Sequence, residues 1–258
     1  MNTDLVYPVS NSRLTAFKRS PLHLIHYLNG NSKQTPAMAF GSAFHMALLQ
    51  PDLYATEYLV APDVNRRTAE GKLAYDKFVY EADGKQVLTS NDSIKISEMV
   101  TAVRQNPIAN ELLSNCLYYE HKVTWTNQDT GVPMRGVVDA MSSDYIIDIK
   151  TTMDANPYKF QRDCFANMYH RQAAIYMDAF GYNTKQMDFY FIAIEKDEPY
   201  GVSVNLMDYD SIQKGREIYL DQVTEYRSWV EAGCPSASYE YWHYAGIHTI
   251  ELPNYLKL

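Results

Sequence analysis

Asp139, Asp148 and Lys150 fall in one short stretch near the middle of this 258-residue chain, each in an otherwise apolar setting, GVVDAM or YIIDIK. Two converging carboxylates are hard oxygen donors of the kind that hold a magnesium ion while the ion also binds phosphate oxygens. Lys150 follows Asp148 by two positions, so on a strand both side chains project from one face. The ammonium then borders whatever the acids hold, where it orients a water and offsets phosphate charge. The side chain of Ile149 points the other way, yet its backbone carbonyl remains available as a ligand. An Asp-x-Lys triplet alone is common and equally describes a surface ion pair. The flanks argue for more: YIIDIK is apolar on both sides of the acid, and burying a carboxylate without a cation or donors costs several kcal/mol.

For these acids to act together their segments must be neighbouring strands. From residue 117 the chain reads LYYEHKVTWT, a turn at NQDTG, VPMRGVVDAM, a turn at SSD, then YIIDIKTT, which predicts a three-stranded meander. Asp139 and Asp148 then lie at or near strand ends in adjacent arms of a tight hairpin. A helical segment over about residues 156–181 follows, then the strands MDFYFIAIE and YGVSVNLM around the turn KDEP. A long amphipathic helix over about residues 209–232 stops at Gly233, with Pro235 just beyond. Before residue 116 the pattern is helical. Ser20-Pro21 and Asn106-Pro107 each pair an N-cap with proline at the first helical position. GSAFHMALLQ ends before Pro51, TAEGKLAYDKFVYEA stops at Asp83-Gly84, and SNDSIKISEMVTAVRQ carries apolar residues mostly at helical spacing. The order predicts an α/β fold: a mixed central sheet flanked by helices, with an N-terminal helical elaboration. We expect one domain over residues 1–258, with a helical part to 115, an αβ core from 116 to 232 and a tail from 233 to 258.

Composition narrows the function classes. A chain 46% apolar and 13% aromatic buries a full core, which excludes disorder. No apolar run approaches a bilayer span and the first residues carry no export pattern, so the expectation is a soluble protein of the cytoplasm with no membrane partner. Cys116, Cys164 and Cys234 are odd in number and scattered, which suits neither a disulfide framework nor a four-cysteine iron–sulfur cluster. The net charge of −8 argues against non-specific coating of nucleic acid. Charge is uneven, however: residues 1–80 balance to +2 and residues 178–258 to −7, which directs any contact with DNA to the N-terminal part. There Arg66, Arg67 and Lys72 form the best local basic group, and Arg13, Lys18 and Arg19 are spaced to neighbour one another on the first helix. Each set suits phosphate oxygens as well as it suits a solvated helix.

His45 stands beside core-like Phe44, Leu48 and Leu49 and by itself reads as a satisfied core histidine. Gln172 and Tyr176 are one helical turn apart on the same face, able to hydrogen-bond near Lys150 or a phosphate, or to pack as a buried polar pair. Glu120, in YYEHKVTW, is open between an extra acid beside a metal and a partner of Lys150. Four segments in order, GSAFH, GVVD, DIK and QAAIY, resemble the motifs of the PD-(D/E)XK nucleases, within them the RecE-like recombination exonucleases and more distantly the RecB nuclease domain. NRRTAEGKLAY and SRLTAFKRSPLHLIHYL resemble the RecE group in particular.

The resemblance implies a restriction-endonuclease-like core and a site with two Mg²⁺ ions, or Mn²⁺ in their place, held by His45, Asp139, Asp148 and the Ile149 carbonyl. Lys150 orients the attacking water, with Glu120, Gln172 and Tyr176 beside it. It further implies digestion of one strand of linear double-stranded DNA from its 5′ end, with 5′-phosphate products. The 3′ single strand left behind would pass to a RecT-like annealing protein in a bacterial host cell, and the enzyme itself would be a homo-oligomeric ring. The competing expectation, a decayed nuclease fold kept as a DNA-binding or assembly module, requires loss of a motif residue, and none of the four motifs lacks one.

Overall fold

A computed structural model describes residues 7–31, 34–181, 187–238, 247 and 249–250. In chain order the helices and strands are α1 (Asn11–Arg19), α2 (Pro21–Leu28), α3 (Pro36–Leu49), α4 (Pro51–Glu57), β1 (Tyr58–Val60), α5 (Ala69–Ala82), β2 (Gln86–Leu88), α6 (Ser90–Gln105) and α7 (Pro107–Ser114). Then come β3 (Tyr118–Thr126), β4 (Pro133–Met141), β5 (Tyr145–Thr152), α8 (Pro157–Ala166), α9 (Tyr169–Ala179), β6 (Asp188–Glu195), β7 (Val202–Leu206) and α10 (Tyr209–Glu231). The chain divides into two compact units, one of Gln34–Val123 with Gly136–Arg216, the other of Met1–Lys33, Thr124–Arg135 and Glu217–Leu258.

The five long strands form one sheet in the order β3-β4-β5-β6-β7. β4 pairs antiparallel with β5 and β6 with β7, whereas β5 and β6 run parallel, so the sheet is mixed as expected. Parallel neighbours need a crossover, and α8 and α9 supply it. Successive residues of β5 face opposite ways. Ile147 and Ile149 join a buried core with Ala43, Phe44 and Leu48 of α3, Ile96, Met99 and Val103 of α6, and Leu113 of α7. The opposite face takes α8 and α9, where Phe191 packs against Phe160 and Tyr169 at ring separations of 6.0 and 5.8 Å.

Caps mark most boundaries. Thr35, Thr68, Thr89 and Asn106 accept backbone N–H groups at the starts of α3, α5, α6 and α7, supplying acceptors that the first helical turn lacks. Two features depart from the sequence reading. β1 and β2 form a parallel pair of three-residue strands, too short to show alternation. The helical segment after β5 is two helices: Asn167 folds back on the Asp163 carbonyl and Met168 takes φ +60°, a left-handed step that ends α8 and restarts α9 at a new angle.

In the other unit, Ser10 and Ser20 cap α1 and α2, and Phe17 packs on Tyr226 and Trp229 of α10 at 5.1 and 5.5 Å. A bridge between Val9 and Met134 and the bond from Arg227 to the Thr130 carbonyl, 2.8 Å, tie its segments together. α10 ends at Glu231 and Gly233 takes φ +84°, the stop that its glycine predicts. Of the expected tail, residues 239–246, 248 and 251–258 lie outside the described residues.

Candidate active site

The site begins where a ladder ends. β4 and β5 pair at Met141 with Ile146 and Ala140 with Ile147, and the next pair would be Asp139 with Asp148. There the Asp139 carboxylate takes over, accepting the Ile149 backbone N–H through Oδ2 at 2.7 Å. N–H and C=O of one strand residue share an edge, so the Ile149 carbonyl faces the same gap.

Asp148 is almost fully buried, 2% exposed, and its compensation is explicit. Gln172 Nε2 donates to Oδ1 at 2.8 Å, while Lys150 Nζ sits 2.6 Å from Oδ2 as an ion pair rather than an aligned hydrogen bond. Lys150 also donates to Gln172 Oε1 at 3.0 Å, so one amide grips both ends of the pair. Tyr176 OH lies 3.4 Å from Gln172 Nε2, and the Tyr169 ring lies under the ammonium at 4.5 Å, a cation–π contact. Tyr169 was missed in the sequence, although 169, 172 and 176 share one helical face. Gly136 makes room for Tyr176: a Cβ there would stand 2.7 Å from the ring.

On the α3 side, His45 Nδ1 lies 3.5 Å from Asp139 Oδ2 and 4.0 Å from Glu120 Oε1. Ligand atoms of His45, Glu120 and Asp139 all fall within 4.8 Å of one another. Glu120 thus stands beside His45 and Asp139. It takes φ +48° within β3, a left-handed residue that re-aims its side chain as a bulge does and that carries about 1–3 kcal/mol of strain. Oδ1 of Asp148 accepts from Gln172 and its Oδ2 is ion-paired with Lys150, whereas the donor atoms of His45, Glu120 and Asp139 converge on one another.

The charges fit a divalent cation. Burial opposes a charge on His45, but Asp139, Asp148 and Glu120 outweigh it and raise its pKa to about 9. Burial and the nearby Asp139 push Glu120 up. Burial pushes Asp148 up to about 6 against the pull of Lys150. Asp139 is held down despite its burial, by His45, Lys150 and the Ile149 N–H. Burial works against the Lys150 charge, but Asp148 and Asp139 keep it firmly protonated. Two acids and one imidazole make a hard oxygen-and-nitrogen donor set, with the Asp148–Lys150 pair beside it.

A pH dependence of stability follows. His45 has a folded pKa above its ordinary 6.5, so its contribution, on the order of 3 kcal/mol, is complete below pH 6.5 and lost as pH rises through about 9. The raised Asp148 acts with the same sign at lower pH, and the lowered Asp139 matters only below its ordinary value of 3.8. Melting temperature in EDTA should therefore fall from pH 6 to 9. Added Mg²⁺ or Mn²⁺ should restore more at pH 9 than at pH 6, because the ion competes with the His45 proton. A melting temperature in EDTA that rises over this range would contradict the assignment.

The remaining residues of interest are dispersed. Arg66, Arg67 and Lys72 are exposed at and before the start of α5, with Arg66 over the Tyr75 ring at 4.5 Å. In the other unit Lys18 and Arg19 are exposed, whereas Arg13 is buried and donates to the Pro8 carbonyl at 3.0 Å. That contact turns Arg13 inward, away from the surface its spacing suggested.

Residues 10–235 match the family described as "PDDEXK-like domain of unknown function (DUF3799)". No curated protein sequence matches the chain. Among solved structures, the chain is similar to a Eubacterium rectale protein provisionally named an exonuclease, with 11% identity and a TM-score of 0.62 over 97% of this chain and 92% of that one. At that identity the likeness is one of fold. Among the described residues no helix is long and apolar enough to cross a membrane.

Proposed function

The chain belongs to the PDDEXK-like family, and from that premise we propose that it is a magnesium-dependent nuclease that degrades one strand of linear double-stranded DNA. The observation that carries this reading is the convergence of the His45, Glu120 and Asp139 donors beside the Asp148–Lys150–Gln172 clamp. His45, Glu120 and Asp139, with the Ile149 carbonyl and Oδ2 of Asp148, are the groups that would hold the metal. When bound, a divalent cation polarises the phosphodiester and acidifies a water. Lys150, kept protonated, donates a hydrogen bond to that water or to a non-bridging oxygen, and neutralises charge that grows there. Gln172 fixes the ammonium in place, so it need not reorganise during the reaction. Tyr169 and Tyr176 close the apolar side of the clamp and keep bulk water from it.

The finer parts of the proposal rest on the RecE-like motifs: attack from the 5′ end, a 3′ overhang left for a RecT-like annealing protein, and a homo-oligomeric ring around the duplex. The test is digestion of linear duplexes labelled at the 5′ or the 3′ terminus, with a closed circle as control. Early release of the 5′ label, survival of the 3′-labelled strand and an intact circle are expected with Mg²⁺ and absent in EDTA. Early release of the 3′ label would reverse the polarity, cutting of the circle would remove the end requirement, and no cleavage with any divalent metal would end the nuclease reading.

A further inference from the structure

A cleft of about 710 Å³ opens at this end of the sheet, and Lys196 lines it together with His45, Glu120, Asp139, Lys150 and Thr151. Lys150 is committed to Asp148 and Gln172. Lys196, by contrast, is half-buried and its ammonium has no ion pair within 4 Å among the described residues. Its sequence neighbour Asp197 feels the Lys196 charge but forms its ion pair with Lys95 of α6, at 2.5 Å.

The backbone that carries Lys196 is braced on several sides. Its N–H donates to the Thr152 carbonyl at 3.1 Å, carrying the β5–β6 register one step past the strand end. The preceding Glu195 carboxylate accepts the N–H groups of Ala155 at 3.0 Å and Gly201 at 3.1 Å. A Cβ at position 201 would stand 2.9 Å from that carboxylate, so glycine is what lets the turn close on it. Lys196 is therefore a cation presented from a braced turn into a cleft whose other lysine is paired with Asp148. The acids of this cleft suit a metal, and a polyanionic strand entering it needs a counter-charge apart from them. Lysine binds phosphate as a point charge and asks for no particular orientation.

We propose that Lys196 forms a phosphate subsite, holding a backbone phosphate of the substrate strand next to the one that is cut. This rests on the nuclease reading above. It makes Lys196 a binding residue, and Lys95 a positioning residue that acts by drawing Asp197 away.

The test compares the wild type with Lys196→Gln, Lys196→Arg and Lys95→Ala. In steady-state cleavage of a duplex, Lys196→Gln should raise KM about tenfold with kcat little changed, Lys196→Arg should recover most of the loss, and Lys95→Ala should fall between. In a binding titration with Ca²⁺ in place of Mg²⁺, the plot of log affinity against log salt should be shallower for Lys196→Gln by about one unit, the loss of one phosphate contact. An unchanged salt slope, or a fall in kcat at constant KM, would overturn the subsite. A wild type that binds DNA without cutting it would refute the nuclease reading, and the salt slope would still decide Lys196. A wild type that binds no DNA would overturn both.

Discussion

Replacing Lys150 by methionine is expected to lower duplex-degrading activity by about 10²–10⁴-fold and stability by about 3–5 kcal/mol. The two losses have separate causes. Asp148 is buried at 2% exposure and relies on Lys150 for the charge opposite Oδ2, so methionine leaves an uncompensated buried carboxylate. The catalytic loss comes from removing the ammonium from the reacting phosphate. A double replacement separates them: Lys150→Met with Asp148→Asn exchanges the ion pair for a neutral pair, which often costs little. Urea denaturation should show stability largely recovered in the double variant while activity stays lost. If the single variant proves as stable as the wild type, the Asp148–Lys150 pair is not the compensation we take it to be.

Asp139→Asn should abolish metal-dependent stabilisation and reduce cleavage by about 10³-fold or more. Asparagine keeps an oxygen for the Ile149 N–H that Asp139 now accepts at 2.7 Å, so the junction of β4 and β5 should survive and circular dichroism should be unchanged. What disappears is the negative charge that faces His45 at 3.5 Å and that would help to hold a cation. His45 would then titrate nearer its ordinary value, since Asp139 is the strongest influence raising it. The pH dependence of melting in EDTA should flatten in consequence. Retained cleavage, or an unchanged response of melting temperature to Mg²⁺, would remove Asp139 from the metal site.

Much of the fold was legible because local physics repeats itself. Alternation predicted β3, β4, β5, β6 and β7. Proline and cap residues predicted the starts of α2 and α7, and Gly233 predicted the end of α10. The Asp-x-Lys spacing implied one shared face, which the 2.6 Å pair displays. What escaped had weak local signals. The break at Met168 depends on a single left-handed residue of a type that rarely adopts it. Arg13 reads as a surface cation until the Pro8 carbonyl draws it inward. Tyr169 and Lys196 carry no motif at all, and each gains meaning only from its neighbours in space.

The sequence by itself determined the order of elements, the mixed α/β class and the apolar setting of the Asp148 strand, because these depend on residues a few positions apart. Only the tertiary structure decided which acid joins His45. Glu120, Asp139 and Asp148 all lay within reach on paper, yet the convergent donors are His45, Glu120 and Asp139, while Asp148 is gripped by Lys150 and Gln172. That choice turns on a left-handed residue in β3, the parting of β4 from β5, and the approach of α3 to their open end. Each is set by long-range packing, where a shift of one ångström re-sorts charges that local spacing leaves equivalent.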